Sequence, residues 1–249
     1  MNPVLPAAAE RLADVWVYLA TTPLLGLTVT LLVYQAAFML YQRSGFHPLA
    51  NPVAMAVVAL GTLLWATGTP YATYFEGAQF VHFLLGPATV ALAVPLFEQL
   101  ARLKRLWLPM VGALVVGTLA ATVTAIGVGW ALGASKATLA SLAPKSVTTP
   151  VAMGIAEKIG GLPSLTAVLV VSTGIVGAAS ARFLFDALRI TDPTVRGFAL
   201  GTAAHGIGTA RAFQVSEEMG AFAGLAMGLS ALFSALALPL VAGLLLRWV

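Results

Sequence analysis

Long apolar runs separated by short polar connections make up most of this chain. A membrane-spanning helix needs about 20 apolar residues, and six runs reach that length without an Asp, Glu, Lys or Arg. They cover about residues 15–41, 49–69, 77–97, 106–133, 162–181 and 219–246. The pattern predicts an all-α polytopic membrane protein with about six full transmembrane helices. Asn51-Pro52, near the second run, predicts a helix start.

Two further apolar segments, 142–157 and 202–217, are interrupted. Each carries one cation at membrane depth, Lys145 in the first and Arg211 in the second. Prolines in the first segment and Gly206 and Gly208 in the second disfavour regular helix. Non-helical backbone at that depth is tolerated only where protein or a water-filled cavity satisfies its polar groups. We therefore predict two broken or re-entrant helical segments around a shielded or wet interior.

The two interrupted segments read as copies of each other. At an offset of 60 residues, four residues of the first copy fall on identical residues of the second. The pairs are Thr149 with Thr209, Ala152 with Ala212, Glu157 with Glu217, and Gly160 with Gly220. The predicted repeat units cover about 138–190 and 198–249. If each short segment is re-entrant, each unit holds one true crossing and the repeat is inverted, as in many transporters. Discontinuous helices that cross the membrane are the alternative.

Composition and charge place the chain in a bilayer as a single integral membrane domain, 1–249. It is 59% hydrophobic and 9% charged, with a mean hydropathy of +0.94, whereas soluble domains have about 25% charged residues. Residues 1–75 are predicted to form N-terminal helices that act as a scaffold, and 76–249 the core. The positive-inside rule places Arg43 and the cations of 102–105 in the cytoplasm and the N-terminus outside. Re-entrant segments would also bring Arg189 and Arg196 inside.

The polar residues exclude several classes of function. The net charge of +4 comes from 13 Lys+Arg and 9 Asp+Glu, and the cations are scattered among apolar runs, so no nucleic-acid surface is expected. There is no cysteine, which excludes thiol and zinc-thiolate chemistry. No nucleophile elbow, zinc-protease motif, P-loop or dinucleotide fingerprint occurs. We predict no enzymatic activity, no metal and no cofactor, and any transport would be downhill or coupled to H⁺ or Na⁺.

The first break carries the parts of an anion site. Lys145 lies within Ala-Pro-Lys-Ser-Val-Thr-Thr-Pro, where Ser146, Thr148 and Thr149 add three hydroxyl groups. A half-helix that starts after a break presents unpaired N–H groups and the positive end of its dipole. We predict that a small carboxylate binds between that terminus and Lys145.

The second break is predicted to supply the facing half of the same site. Its candidate residues are His205, Gly206, Gly208, Thr209 and Arg211. The two glycines permit close approach of the backbone to a ligand. Together the two copies would enclose one small anion.

Other roles for these ionisable groups stay open. Lys145 and Arg211 could snorkel to the headgroups or form structural ion pairs with Glu157 and Glu217, although intramembrane charges are costly and usually functional. The two glutamates are predicted to end their segments at matching positions, which favours structural pairs over proton coupling. His205 suits proton coupling and hydrogen-bonded packing equally well.

Three long motifs in this sequence resemble the LrgB/CidB family. They are Leu-Leu-Gly-Pro-Ala-Thr-Val-Ala-Leu-Ala-Val-Pro-Leu at 84–96, Leu-Ala-Pro-Lys-Ser-Val-Thr-Thr-Pro-Val-Ala-Met at 142–153 and Gly-Thr-Ala-Ala-His-Gly-Ile-Gly-Thr-Ala-Arg at 201–211. The resemblance covers nearly the whole chain from Asn51-Pro52 onward. It implies a multi-pass protein of the bacterial inner membrane with a smaller LrgA/CidA-type membrane partner. Bacterial members were described as holin/antiholin-like modulators of murein hydrolase activity and lysis, plant relatives act as the plastidial glycolate/glycerate translocator, and some bacterial systems are associated with pyruvate uptake.

The residues and the resemblance together predict a secondary transporter or facilitator of small monocarboxylates of the glycolate, glycerate, pyruvate or lactate type. The alternative is a holin/antiholin-like regulator of murein hydrolase activity and cell lysis that acts with the LrgA/CidA-type partner. A purely structural subunit, whose buried charges fix packing, is a third hypothesis. The sequence leaves open which acid is preferred and whether the chain forms a homo-oligomer.

Overall fold

The computed structural model describes residues 23–47, 50–84, 87, 90–91 and 93–247. These residues form ten α-helices and contain no strand. In chain order the helices are α1 (Pro23–Arg43), α2 (Pro52–Thr67), α3 (Tyr71–Phe83), α4 (Ala93–Glu98), α5 (Leu100–Ala131), α6 (Lys136–Leu142), α7 (Thr149–Lys158), α8 (Pro163–Ala187), α9 (Pro193–Val215) and α10 (Glu217–Leu245). The chain divides into two compact units, Met1–Val90 and Ala91–Val249. The all-α prediction is confirmed, and the predicted boundary between scaffold and core near residue 75 stays a prediction.

Four of the described helices are long and apolar enough to cross a membrane: α1, α5, α8 and α10. The predicted count of six is not confirmed. The second predicted span corresponds to α2, which is apolar but has 16 residues. The third, 77–97, is helical to the end of α3 and again in α4, and residues 85, 86, 88, 89 and 92 between them lie outside the described part.

Within the first unit, local capping fixes the limits of α2. The Asn51 carboxamide oxygen accepts hydrogen bonds from the backbone N–H groups of Val53 (2.9 Å) and Ala54 (3.2 Å), which satisfies two otherwise unpaired donors. Gly68 ends the helix with φ = 64°, a conformation that glycine adopts without steric cost. The predicted helix start at Asn51-Pro52 is confirmed.

Within the second unit, α9 packs backbone to backbone against α10. A Cβ added at Gly197 or Gly201 would overlap the carbonyl oxygens of Met219 and Ala223, respectively. The second contact lies four residues after the first on both helices, so the start of α9 and the start of α10 run parallel. Only glycine permits so close an approach at these two positions.

Helix α9 is not straight but folds back on itself at His205. That residue has φ = 42° and ψ = −131° inside the helix, far from helical values. A Cβ at Gly208 would lie 2.7 Å from the carbonyl oxygen of Leu200, whereas a straight helix separates residues eight apart by about 12 Å. Residues 193–204 (the first arm) and 206–215 (the second arm) therefore run antiparallel, as a helical hairpin that we call hairpin 2.

Helices α6 and α7 form the other hairpin, hairpin 1, with its tip at residues 143–148. After α7 the chain returns to the end of α6, since a Cβ at Gly161 would lie 2.9 Å from the carbonyl carbon of Ala140. The Leu162 N–H donates to the Ser141 hydroxyl oxygen at 2.8 Å. The Thr166 hydroxyl, in the first turn of α8, donates to the Ser141 carbonyl oxygen at 3.3 Å.

Candidate functional site

The tips of both hairpins lie near Val170 of α8. In hairpin 2, His205 Nε2 lies 2.9 Å from the carbonyl oxygen of Val170. In hairpin 1, Val147 packs in one buried apolar cluster with Val170 and with Leu238 of α10. A Cβ at Gly174, one turn along α8, would lie 2.7 Å from His205 Cε1. The missing side chain at Gly174 makes room for the histidine ring.

The hairpins reach this region from opposite ends of α5. Gly129, near the end of α5, faces Leu139 of hairpin 1, and Met110, near its start, clusters with Phe198 of hairpin 2. Toward the middle of α5, the Thr122 hydroxyl donates to the Ala143 carbonyl oxygen of the first tip at 3.3 Å. A Cβ at Gly117 would lie 3.6 Å from the methyl group of Thr202. The two contacts are five residues apart, about 8 Å along the axis of α5.

Three hydroxyl groups lie between the levels of the two tips, on α5 and α10. Thr118 falls between the two α5 contacts just described. Ser230 and Ser234 fall between Met227, whose sulfur accepts a 3.8 Å contact from Thr209, and Leu238, which packs with Val147. All three are buried and have no hydrogen-bond partner among the described residues. A buried polar group without a partner is costly and calls for an explanation.

Sequence reasoning missed these three hydroxyls because single Ser and Thr residues are ordinary in apolar helices. A signal was nevertheless present in their spacing. Thr118 and Thr122 on α5, and Ser230 and Ser234 on α10, each stand four residues apart, which places both members of a pair on one helix face.

The residues predicted at the first break all lie at the tip of hairpin 1. Lys145 is half-buried, and its Nζ donates to the Ser146 hydroxyl at 3.3 Å. Thr148 precedes α7 as its N-cap without a side-chain capping bond, and Thr149 is the first helical residue. The first turn of α7 therefore starts at the tip, and the positive end of the helix dipole lies there.

The residues predicted at the second break divide between two places. His205, Gly206 and Gly208 form the tip of hairpin 2, and the Thr209 hydroxyl donates to the His205 carbonyl oxygen at 2.8 Å. Arg211 lies farther along the second arm, where it lines a cavity of about 390 Å³ at the end of α8. The residues that line this cavity do not include Lys145. The enclosure of one anion by Lys145 and Arg211 together stays a prediction.

The two glutamates do not occupy matching places. Glu157 is in the last turn of α7, as predicted, but Glu217 is the first residue of α10, so the prediction that it ends its segment is wrong. The physical reason is a helix start, because the Ser216 hydroxyl accepts the Met219 N–H at 3.1 Å, and acidic residues in a first turn are favourable. Neither glutamate takes part in the four salt bridges described below, and their coupling or ion-pair roles stay predictions.

The predicted repeat also has a different register in the structure. Helix α7 begins at Thr149 and the second arm of hairpin 2 at residue 206, an interval of 57 rather than 60. The helices that follow begin at Pro163 and Glu217, an interval of 54. The hairpins are therefore similar in plan, but the sequence offset does not give their structural equivalence.

Among the described residues of the second unit there are four salt bridges, of which three link the ends of different helices and one lies within α8. Arg102 pairs with Asp192 at 3.4 Å and with Glu218. Asp186 pairs with Arg196 at 2.6 Å and with Arg182 at 3.8 Å. The three pairs between helices join the start of α5, the end of α8, the start of α9 and the start of α10, so these helix ends lie on one side of the unit.

Asp192 caps the start of α9 from this side. Its carboxylate accepts hydrogen bonds from the Thr194 hydroxyl and from the Thr194 N–H at 2.7 Å. The Thr194 hydroxyl, followed by the backbone donors and the charge of Arg102, lowers the pKa of Asp192 below its usual value against a smaller opposing effect of burial. The cap is therefore held as a carboxylate.

Within the described ranges, no group of three or more His, Cys, Asp or Glu residues could hold a metal ion. The chemistry of the site consists of hydroxyl groups, half-helix termini, one histidine and one lysine. These groups can bind an anion or a polar solute by hydrogen bonding and charge.

Comparison with known proteins assigns the chain to a family. A model of the LrgB-like family matches residues 30–244. Proteins named Antiholin-like protein LrgB from Bacillus mycoides (strain KBAB4), Bacillus cereus (strain B4264) and Bacillus anthracis (strain CDC 684 / NRRL 3495) are each 31% identical over 220 residues, which cover 88% of this chain and 95% of the relative. No solved structure matches the chain. Since both the family model and the relatives span most of its length, this chain belongs to the LrgB-like family.

Proposed function

We propose that the chain is an antiholin-like membrane protein that restrains murein hydrolase activity and cell lysis. The observation that carries this proposal is the name shared by its relatives, which are 31% identical over 88% of the chain. Four helices suited to membrane spans agree with a protein that acts from within the bilayer. We place it in the bacterial inner membrane, where it acts with a smaller LrgA/CidA-type membrane protein.

Lysis measurements test this role. The chain is expressed, alone and with the smaller partner, in a bacterial strain that lacks its own LrgB-like protein. Detergent-induced autolysis and murein hydrolase activity in cell-wall gels are then compared with an empty-vector strain. We expect slower lysis and weaker hydrolase bands. Unchanged lysis with both proteins present in the membrane fraction would contradict the proposal.

A second candidate function is the passage of a small monocarboxylate through the membrane, which a specific geometric observation favours. Two hairpin tips lie near Val170 of α8. Each tip contains the start of a ten-residue half-helix, α7 or the second arm, and the start of a helix attracts anions. Lys145 adds a positive charge at the first tip.

The buried hydroxyls complete this candidate site. Thr118, Ser230 and Ser234 lie between the levels of the tips without partners in the described structure, and a polar substrate would supply the missing hydrogen bonds. We propose that the two hairpins are re-entrant from opposite faces and form an inverted repeat, as in other carriers. Coupling to H⁺ or Na⁺ belongs to the same proposal, and an effect on lysis would follow from metabolite flux.

Uptake into proteoliposomes tests the transport proposal. Radiolabelled glycolate, pyruvate and lactate are offered to wild type, Lys145→Ala and the matched control Arg105→Gln, which removes a charge from the exposed start of α5. Saturable uptake that Lys145→Ala abolishes and Arg105→Gln retains is the expected result. Absence of uptake by wild type, with and without the smaller partner, would refute it. Release of a bulky dye instead would indicate a pore.

A further inference from the structure

The cavity that Arg211 lines has a different chemistry from the region between the tips. Its volume is about 390 Å³, within the range of small-ligand sites. It lies among the end of α8, both arms of hairpin 2 and the start of α10. Its charged lining residues are Arg182, Asp186, Arg196 and Arg211. Three of these lining residues are cations and one is an anion.

Contacts with three neighbouring residues fix the position of the Arg196 guanidinium group. Its Nε donates to the Ile190 carbonyl oxygen at 2.5 Å, and its Nη2 donates to Asp186 at 2.6 Å. The guanidinium carbon lies 5.5 Å from the centre of the Phe185 ring, a distance at which cation and ring attract each other. A guanidinium has five N–H donors, so three remain for a ligand after these two bonds. The side chain is only 21% exposed, which limits its competition with water.

Asp186 does not neutralise the cavity. Its carboxylate is shared between Arg196 and Arg182, at 2.6 and 3.8 Å, so one negative charge faces two guanidinium groups. Arg211 approaches from the second arm, where its Nη1 donates to the Gln214 side-chain oxygen at 3.3 Å. Planar guanidinium groups match the oxygens of phosphate bidentately. A phosphate group is therefore the ligand whose chemistry fits these side chains.

The cavity lies at the membrane boundary of its helices. Helix α8 has 25 residues, about five more than the hydrocarbon core requires, and Arg182 and Asp186 lie in its last turns. Met219 lines the cavity from the first turn of α10. Arg182 and Asp186 are more than half exposed, so the cavity opens at this end of the helices. A phosphate group can reach it from the headgroup layer or from solution.

We propose that this cavity, with Arg196 and Arg211 as its principal ligands, is a binding site for a phosphate group. The phosphate belongs to an anionic lipid headgroup or to a soluble phosphate ester. Binding would tie the end of α8 to both arms of hairpin 2. The proposal does not depend on transport or on lysis control.

Direct binding measurements test it. Inorganic phosphate is titrated into the full chain, purified in detergent and free of phosphate, and binding is followed by calorimetry. In parallel, native mass spectrometry counts phosphatidylglycerol and phosphatidylcholine molecules bound to the same protein. Arg196→Gln and Arg211→Gln each remove one guanidinium ligand, and Arg105→Gln removes a charge outside the cavity on the same side of the unit.

We expect each cavity variant to weaken binding by about tenfold or more, as for the loss of a charge-assisted hydrogen bond. Arg105→Gln should stay within about twofold of wild type, because an exposed charge contributes little. Arginine-dependent binding of phosphatidylglycerol alone identifies a lipid site, and arginine-dependent binding of inorganic phosphate identifies a soluble ester. No binding by folded wild type, or equal binding by all variants, overturns the proposal. Arg211→Gln keeps the test decisive if Arg196→Gln does not fold.

Discussion

The contact between α9 and α10 makes a sharp prediction about a single methyl group. At Gly201 an added Cβ would lie 2.7 Å from the carbonyl carbon and 2.8 Å from the Cα of Ala223. These distances are about 1 Å shorter than a normal contact between carbon atoms. Every atom in the way belongs to the backbone of α10, so no side chain can rotate to relieve the overlap. Gly201→Ala should therefore push the first arm of hairpin 2 away from α10.

The expected cost is the difference of two effects. Overpacking in a well-packed interior costs about 1–3 kcal/mol, and the rigid backbone here favours the upper end. Alanine gains about 1 kcal/mol over glycine in a helix interior. Gly201→Ala should lower the free energy of unfolding by about 2 kcal/mol. Gly228→Ala, where no atom of the described residues lies within 4 Å of the added Cβ, should be neutral or stabilising by up to about 1 kcal/mol.

Thermal unfolding in one detergent, followed by circular dichroism and by the monodisperse fraction after heating, compares the variants. Gly206→Ala adds a second control on α9 itself, since its nearest contact is the Met227 sulfur at 3.7 Å. We expect Gly201→Ala to unfold at a clearly lower temperature than both controls. Equal unfolding temperatures for all three variants would refute the close packing of α9 on α10.

Three further predictions concern single side chains. Asp192→Asn should make stability depend less on pH in the acid range. Because the pKa of Asp192 is lowered in the folded protein, the carboxylate's contribution to stability is complete above the unfolded pKa of about 3.9 and is lost as the pH falls through the folded pKa. The unfolding temperatures of wild type and Asp192→Asn, measured between about pH 3 and 7, should therefore converge at low pH. Thr118→Val removes a hydroxyl that has no hydrogen-bond partner in the described part of the chain. Its stability should be unchanged or higher by about 1–3 kcal/mol, and any carboxylate uptake should fall. A loss of stability would show that the hydroxyl has a partner. Arg102→Gln breaks two partly exposed ion pairs, and the loss of each should lower the free energy of unfolding by about 0–1 kcal/mol. High salt should reduce this difference from wild type, which denaturation at two salt concentrations checks.

The two proposed functions make different demands on the hairpin tips. A carrier needs the polar groups between the tips, because they contact the solute. Regulation of lysis through assembly with a partner needs an intact surface and tolerates their loss. Thr118→Val and Lys145→Ala therefore separate the two functions when uptake and autolysis are measured on the same variants.

The breaks in the chain were readable from sequence, which predicted either re-entrant segments or discontinuous crossing helices but did not decide between them. Gly206 and Gly208 predicted an interruption, and α9 is interrupted at His205. The reversal of direction depends on Gly208 packing against Leu200 and on the small residues of the second arm, and these contacts exist only after folding. Glu217 was misplaced for a related reason. The repeat pattern outweighed the local capping signal of Ser216, which starts a new helix there.

The positions of the two intramembrane cations also could not be predicted from the sequence. Periodicity and composition identified Lys145 and Arg211 as unusual charges but gave no distance between them. In the structure Lys145 lies at the tip of hairpin 1, and Arg211 lines a cavity with Arg182, Asp186 and Arg196 at the end of α8. A long flexible side chain can reach either the region between the tips or the cavity at the end of α8, so only the path of the backbone determines where each cation lies.

The sequence by itself determined that this is an all-helical membrane protein, because the length of an apolar run and the cost of unsatisfied backbone groups in lipid leave helices as the solution for such a chain. It also located both interruptions, since proline and glycine act on the local backbone. The tertiary structure alone decided that each interruption is the tip of a hairpin and that both tips lie near Val170. It also placed Thr118, Ser230 and Ser234 between the levels of the tips, with no hydrogen-bond partner among the residues described. Those outcomes depend on contacts between residues far apart in the chain, which no local pattern encodes.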